Sequence, residues 1–177
     1  RQRQMCIRDS GISFAVLPYV LLALLLVSEI SDMLDGFFAR KWNQVTELGK
    51  VLDPMADSIA RISVFLTFTQ GIIQLPLLLV FIFFYRDSIV STLRTICALK
   101  GIALAARVTG KIKAIVQAAA SFMIVLFILL YSQGRISLKI LQFNSLCIAS
   151  FAACYTVFSG IEYIYRNREY IRRAWVS

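Results

Sequence analysis

Asp32-Met33-Leu34-Asp35-Gly36-Phe37-Phe38-Ala39-Arg40, then eight residues, then Gly49-Lys50-Val51-Leu52-Asp53-Pro54-Met55-Ala56-Asp57: the reading of this chain turns on these two runs. Both are flanked by strongly apolar sequence. On a helix, Asp32 and Asp35 are three apart and share a face; Gly49, Asp53 and Asp57 step by four and share another. Lys41 to Leu48 is polar enough to turn between two antiparallel helices, and such a hairpin brings four carboxylates to one point. An ionised Asp at the centre of a membrane helix costs ~2.5–3.5 kcal/mol, and four of them also repel one another. Divalent cations are the cheapest physical remedy. Ligands that are oxygen only, without His or Cys, point to Mg²⁺, Mn²⁺ or Ca²⁺ rather than zinc. Gly36 lies on the Asp32 side and lets a ligand approach the backbone. Arg40, one turn further on, can hold a phosphate. A solvated acidic hairpin would not carry such apolar flanks.

The pattern D-x2-D-G-x2-A-R-x8-G-x3-D-x3-D resembles the signature of the CDP-alcohol phosphatidyltransferase family. All its fixed positions are present: Asp32, Asp35, Gly36, Ala39, Arg40, Gly49, Asp53 and Asp57. The resemblance implies an all-α integral membrane bundle of six helices in the family fold, of which about five are expected here, the chain being truncated at its N-terminus. It implies that an acceptor hydroxyl attacks the β-phosphate of a CDP-linked lipid and CMP leaves. Two divalent ions, Mg²⁺ or Mn²⁺, would be held by Asp32, Asp35, Asp53 and Asp57, with Asp57 also the catalytic base. Asp32, Gly36, Ala39, Arg40 and Gly49 would bind the CDP-lipid, Gly36 and Ala39 making room for the cytidine. Family members are often homodimers, so a homodimer is the expected assembly.

Composition bounds the class independently. The chain has 177 residues, 59% of them hydrophobic, and no His; its mean hydropathy is +0.73. That describes a multispan membrane protein of one domain with about five spans of ~20 residues each. Lacking His, it cannot run His-based acid–base chemistry. The net charge of +9 points in a membrane protein to cytoplasmic loops and anionic lipid, with no nucleic acid as partner. Cys6, Cys97, Cys147 and Cys154 form no CxxC pair and read as small apolar groups.

Along the chain, Arg1 to Ser10 is polar, basic and aperiodic, and is expected to be a non-native or disordered leader. Residues 11–165 form the membrane domain. One helix is expected from Ile12 to about Lys41, a second from Gly49 to about Gln70, and a short turn bracketed by Gly71 and Pro76. A third runs from Leu75 to about Leu99 and a loop from Lys100 to Gly110. A fourth spans Lys111 to Tyr131 and a fifth Ile136 to Tyr165. Residues 166–177 read as a basic amphipathic tail on the membrane surface. Arg40, Lys41 and Lys50 surround the first turn, Lys100, Arg107, Lys111 and Lys113 the third, and Arg166, Arg168, Arg172 and Arg173 the tail. Alternate turns hold only Arg135 and Lys139. The positive-inside rule then places the aspartates and the C-terminus in the cytoplasm, in a bacterial inner or plasma membrane.

Arg86, Arg94, Lys111 and Lys113 project from helix ends on that side, where they read either as snorkelling membrane anchors or, together, as a pocket for a phosphorylated acceptor. Tyr85-Arg86-Asp87, Leu93-Arg94 and Gly110-Lys111-Ile112-Lys113 with Gln117 resemble phosphatidylglycerophosphate synthases, which carry Glu where Asp87 stands and Thr where Ala114 stands. That resemblance implies CDP-diacylglycerol as donor and glycerol 3-phosphate as acceptor, with inositol phosphate or another alcohol as the alternative. Glu29 and Arg61 read as interhelical polar contacts. A divalent-cation transporter also places acids in spans, but has no need of Gly36, Ala39 and Arg40 at these spacings. Nor does a membrane scaffold call for four buried acids.

Overall fold

The computed structural model describes residues 16, 18–27, 30–31, 47–99 and 108–176; for 47–54, 98 and 173–176 it describes the backbone alone. The leader, the first half of the aspartate motif (Asp32 to Arg40) and most of the loop before the fourth span lie outside the described residues. Among those described, every regular element is an α-helix: α1 (Pro18–Val27), α2 (Glu47–Thr69), α3 (Leu77–Leu99), α4 (Val108–Ser132) and α5 (Leu138–Val176).

The ends of the first expected helix, Ile12 and Lys41, lie outside the described residues; the boundaries of the other four hold to within a few residues, with two differences. Gly110 falls inside the first turn of α4, because the helix already begins at Val108. The basic tail is no separate element: α5 continues through it to Val176. After Gly160 the sequence holds no Gly or Pro to stop a helix, and Asn167 donates back to the Tyr163 carbonyl at 2.7 Å, inside the turn. At 1.5 Å per residue the 39 residues of α5 reach ~58 Å. A hydrocarbon core is ~30 Å thick, so the helix is long enough to cross it and extend well past.

Two turns fix the hairpins. Between α2 and α3, Gly71 takes φ +75° and Gln74 φ +54°, and Leu75 N–H donates to Phe68 C=O at 3.1 Å. Between α4 and α5, Gly134 sits at φ +71°. Its N–H reaches Tyr131 C=O at 2.9 Å while Arg135 N–H reaches Leu130 C=O at 3.0 Å. That pair of bonds is a Schellman motif, which needs a residue without Cβ strain at the left-handed position.

The core is a seam of α2, α3, α4 and α5. Phe65 and Phe83 meet at 4.7 Å between centroids, over Ile124, Val125 and Ile128 of α4 and Leu141, Ala149, Ala152 and Ala153 of α5. The inward face of α5 is small while its outward face is large: Phe143, Phe151, Phe158 and Ile161 are 59–68% exposed. That inversion suits a bilayer, where small residues let helices approach and large apolar ones meet lipid. α4 and α5 are both long and apolar enough to span a membrane. α3 matches α2 in length at 23 residues but carries Arg86 and Asp87 at its middle and Arg94 in its C-terminal half.

Interhelical hydrogen bonds give the bundle two distinct ends. At one, Gln142 Nε2 donates to Ile72 C=O at 2.8 Å and Gln133 Nε2 to Tyr19 Oη at 3.3 Å. At the other, α3 from Arg86 to Arg94 meets the start of α4 and Ser159 to Tyr163 of α5. Gln142 and Ser159 lie ~25 Å apart along α5. Because α2 and α3 are joined by a short turn and run antiparallel, the motif end of α2 lies at this second end.

Candidate active site

α2 carries the described half of the aspartate motif. Gly49, Asp53 and Asp57 recur every four residues on one helix, so these positions fall along one stripe of its surface. Arg61 extends the stripe by a further turn, its Nη2 4.0 Å from Asp57 Oδ2. Asp57 is half-exposed and Arg61 mostly buried. Asp32, Asp35, Gly36, Ala39 and Arg40 lie outside the described residues, as does the side chain of Asp53. Among the described residues, accordingly, no three acids, Cys or His gather as a metal cluster. The donor set nevertheless fits a hard divalent ion: the motif offers carboxylates alone, and the chain has no His.

Facing α2 across the bundle is a polar cluster built on Asp87, which is 8% exposed. Lys113 Nζ donates to both of its carboxylate oxygens at 2.6 Å. Arg86 Nη1 donates to Oδ1 at 3.1 Å. Arg86 Nη2 reaches across to Ser159 Oγ at 2.7 Å. The stem of Arg86 lies on Gly160, where an added Cβ would come within 3.0 Å of Arg86 Cγ. Ser159 and Gly160 thus form the support on which this arginine rests. Below it, buried Gln117 donates weakly to Thr156 Oγ1 at 3.4 Å, and Thr156 in turn bonds the Ala152 carbonyl at 2.7 Å.

The four expected phosphate-binding residues separate into groups. Arg86 and Lys113 meet on Asp87. Arg94 lies two turns further along α3, its Nε donating to Tyr163 Oη at 3.3 Å and its guanidinium 5.5 Å from the Tyr163 ring centre. Lys111 is exposed, because two residues along a helix turn the side chain by ~200°. The alternating GKxK spacing therefore sends one lysine inward and one outward. Sequence reading passed over Ser159 and Gly160. The available signal was the small-residue spacing Ala149, Ala152, Ala153, Thr156, Gly160, which marks a face of close helix approach.

Known proteins resemble this chain over most of its length. The CDP-alcohol phosphatidyltransferase family model matches residues 11–158. A Bacillus subtilis protein named CDP-diacylglycerol–glycerol-3-phosphate 3-phosphatidyltransferase is 32% identical over 150 residues, 84% of this chain and 74% of its own length. A Rickettsia bellii protein of the same name is 31% identical over 149 residues, 83% of this chain and 78% of its own. A Streptomyces coelicolor protein named cardiolipin synthase (CMP-forming) is 42% identical over 67 residues, 38% of this chain and 31% of its own.

Proposed function

The chain belongs to the CDP-alcohol phosphatidyltransferase family, and from that premise we propose that it transfers the phosphatidyl group of CDP-diacylglycerol to a hydroxyl of glycerol 3-phosphate, releasing CMP. The observation that carries this reading is the likeness, over more than four-fifths of the chain, to proteins named for that reaction. The acceptor oxygen bonds to the lipid-side phosphorus of the pyrophosphate while the bond to CMP breaks, and CMP leaves with the electron pair. Asp57 takes the hydroxyl proton. Asp32, Asp35, Asp53 and Asp57 would hold two Mg²⁺ or Mn²⁺ ions, which when bound supply neutralisation of the pyrophosphate charge. Gly36 and Ala39 leave room for the cytidine beside Gly49, and Arg40 holds the donor phosphates.

Arg86 and Lys113 take the acceptor phosphate, and Asp87 orients both. Arg94 and Lys111 extend the positive field toward the mouth of the site. An acceptor phosphate is dianionic, and charge-assisted hydrogen bonds to it are worth ~1.5–3 kcal/mol each. The protein sits in the bilayer as a multi-pass bundle with this end toward the cytoplasm, on the side rich in Lys and Arg.

The test is CMP release from CDP-diacylglycerol with glycerol 3-phosphate, inositol phosphate, phosphatidylglycerol, glycerol and serine supplied in turn, each with Mg²⁺ and with excess chelator. Glycerol 3-phosphate should give the fastest turnover, chelator should abolish it, and Mg²⁺ or Mn²⁺ should restore it. Faster turnover with another alcohol rejects the acceptor, and full activity in chelator rejects the metal site.

A further inference from the structure

We infer that Arg61 is a third cation of the acceptor-phosphate site, the one that ties it to the aspartate motif; this rests on the reading of that site given above. Three observations carry it. The first is position. Arg61 continues the Gly49, Asp53, Asp57 stripe by one turn, the next side chain on that face of α2 after the motif acids. α2 packs on α4 as well as on α3, and Arg61 is close enough for its charge to act on Lys113.

The second is charge balance. Among the described side chains, the cations Arg61, Arg86 and Lys113 stand beside the carboxylates Asp57 and Asp87, and they are paired unequally. Lys113 holds Asp87 with two bonds of 2.6 Å and Arg86 shares the same carboxylate. Arg61 has only a 4.0 Å approach to a half-exposed Asp57, the outer limit of an ion pair. A largely buried guanidinium so loosely paired is costly unless an anion is taken up.

The third is unsatisfied hydrogen bonding. The buried Arg61 Nε and the buried Thr109 hydroxyl have no partner among the described residues. Thr109 precedes Gly110, whose added Cβ would lie 3.9 Å from Arg86 Nη2, so it too borders the cluster. Buried donors of this kind are normally paired, and a phosphate oxygen is a fitting partner. Arg86 Nε is also without a partner, but it faces the Gly160 position and is shielded by packing. Arginine suits the place between two anionic groups because its planar fork presents donors on more than one edge. One edge can serve Asp57 while another serves the phosphate of the acceptor, which would hold the nucleophilic hydroxyl at a set distance from the base.

The experiment measures both Michaelis constants for the full chain and for Arg61→Gln and Arg61→Lys. Arg61→Gln should raise the KM for glycerol 3-phosphate about 10–100-fold, the loss of one charge-assisted contact, while that for CDP-diacylglycerol stays within about twofold. It should also narrow the preference for glycerol 3-phosphate over glycerol, which loss of packing alone would not do. Arg61→Lys, keeping the charge, should recover part of both. Thermal unfolding gives a second reading: glycerol 3-phosphate alone should stabilise the wild type and not Arg61→Gln. An unchanged acceptor KM overturns the inference. So does an equal fall in kcat with both KM values unchanged, since that would make Arg61 a partner of Asp57 only. If the wild type prefers a different phosphorylated alcohol, the acceptor identity fails, and the same comparison with that alcohol decides Arg61. If it prefers an unphosphorylated one, both fail together.

Discussion

Lys113 and Asp87 show how a charged residue is kept inside a membrane helix bundle. Lys113 is 3% exposed and Asp87 8%, and each makes the other tolerable. Removing one partner of such a pair leaves an uncompensated charge and costs ~3–5 kcal/mol. Asp87→Asn should therefore lower the thermal stability of the detergent-solubilised protein. Adding Lys113→Gln should restore much of that stability but not affinity for glycerol 3-phosphate. Restored affinity in the double variant would show that Lys113 does not touch the acceptor. Asp57 differs in being half-exposed, and Arg61, the charge its replacement leaves behind, is held only at 4.0 Å and is itself 22% exposed to solvent. Asp57→Asn should fold normally and bind CDP-diacylglycerol while turnover drops about 10²–10⁴-fold, the usual contribution of a general base. Near-native CMP release from that variant would remove the base assignment.

The decisive element is α5. Its inward face carries alanine, serine, threonine and glycine, so α3 and α4 approach closely enough for Arg86 to reach Ser159 and Arg94 to reach Tyr163. Gly160 is the tightest point, and the clash of a new Cβ there falls on Arg86 Cγ, near the backbone, where the arginine has little freedom to move. Gly160→Val should displace the guanidinium from Ser159 and raise the KM for glycerol 3-phosphate several-fold, about 0.5–1.5 kcal/mol of lost hydrogen bonding. The KM for CDP-diacylglycerol should change little, since its proposed binding residues lie between Asp32 and Gly49. Steady-state kinetics with each substrate varied in turn distinguishes the two, and equal changes in both would point to a general loosening of the bundle.

For the whole molecule, the two ends of the bundle differ in charge, and that difference predicts topology. Arg172, near the end of α5, and Arg135, at the α4–α5 turn, lie beyond opposite ends of the segment between Gln142 and Ser159. In vesicles of known orientation, Arg172→Cys should react with a membrane-impermeant maleimide from the cytoplasmic face, and Arg135→Cys from the other; labelling of both from one side would reject the crossing. How much of this was legible beforehand follows from the range of the forces involved. Apolar runs, turn glycines and the spacing of Asp53 and Asp57 are local properties of a helix or a turn, so the sequence by itself determined the helical class, the order of the spans and the face shared by the motif acids. The sequence also showed that positive charge collects at one end, because span length alone decides which loops face the same side. It did not determine which cations meet. Asp87 is 26 residues from Lys113, and Arg86 is 73 from Ser159. Such pairs depend on how closely and at what rotation two helices pack, which is set by side chains along the whole seam. Only the tertiary structure therefore turned Lys113 inward and Lys111 outward, gave Arg94 to Tyr163, seated Arg86 on Ser159 and Gly160, and left Arg61 beside the cluster with a donor unfilled.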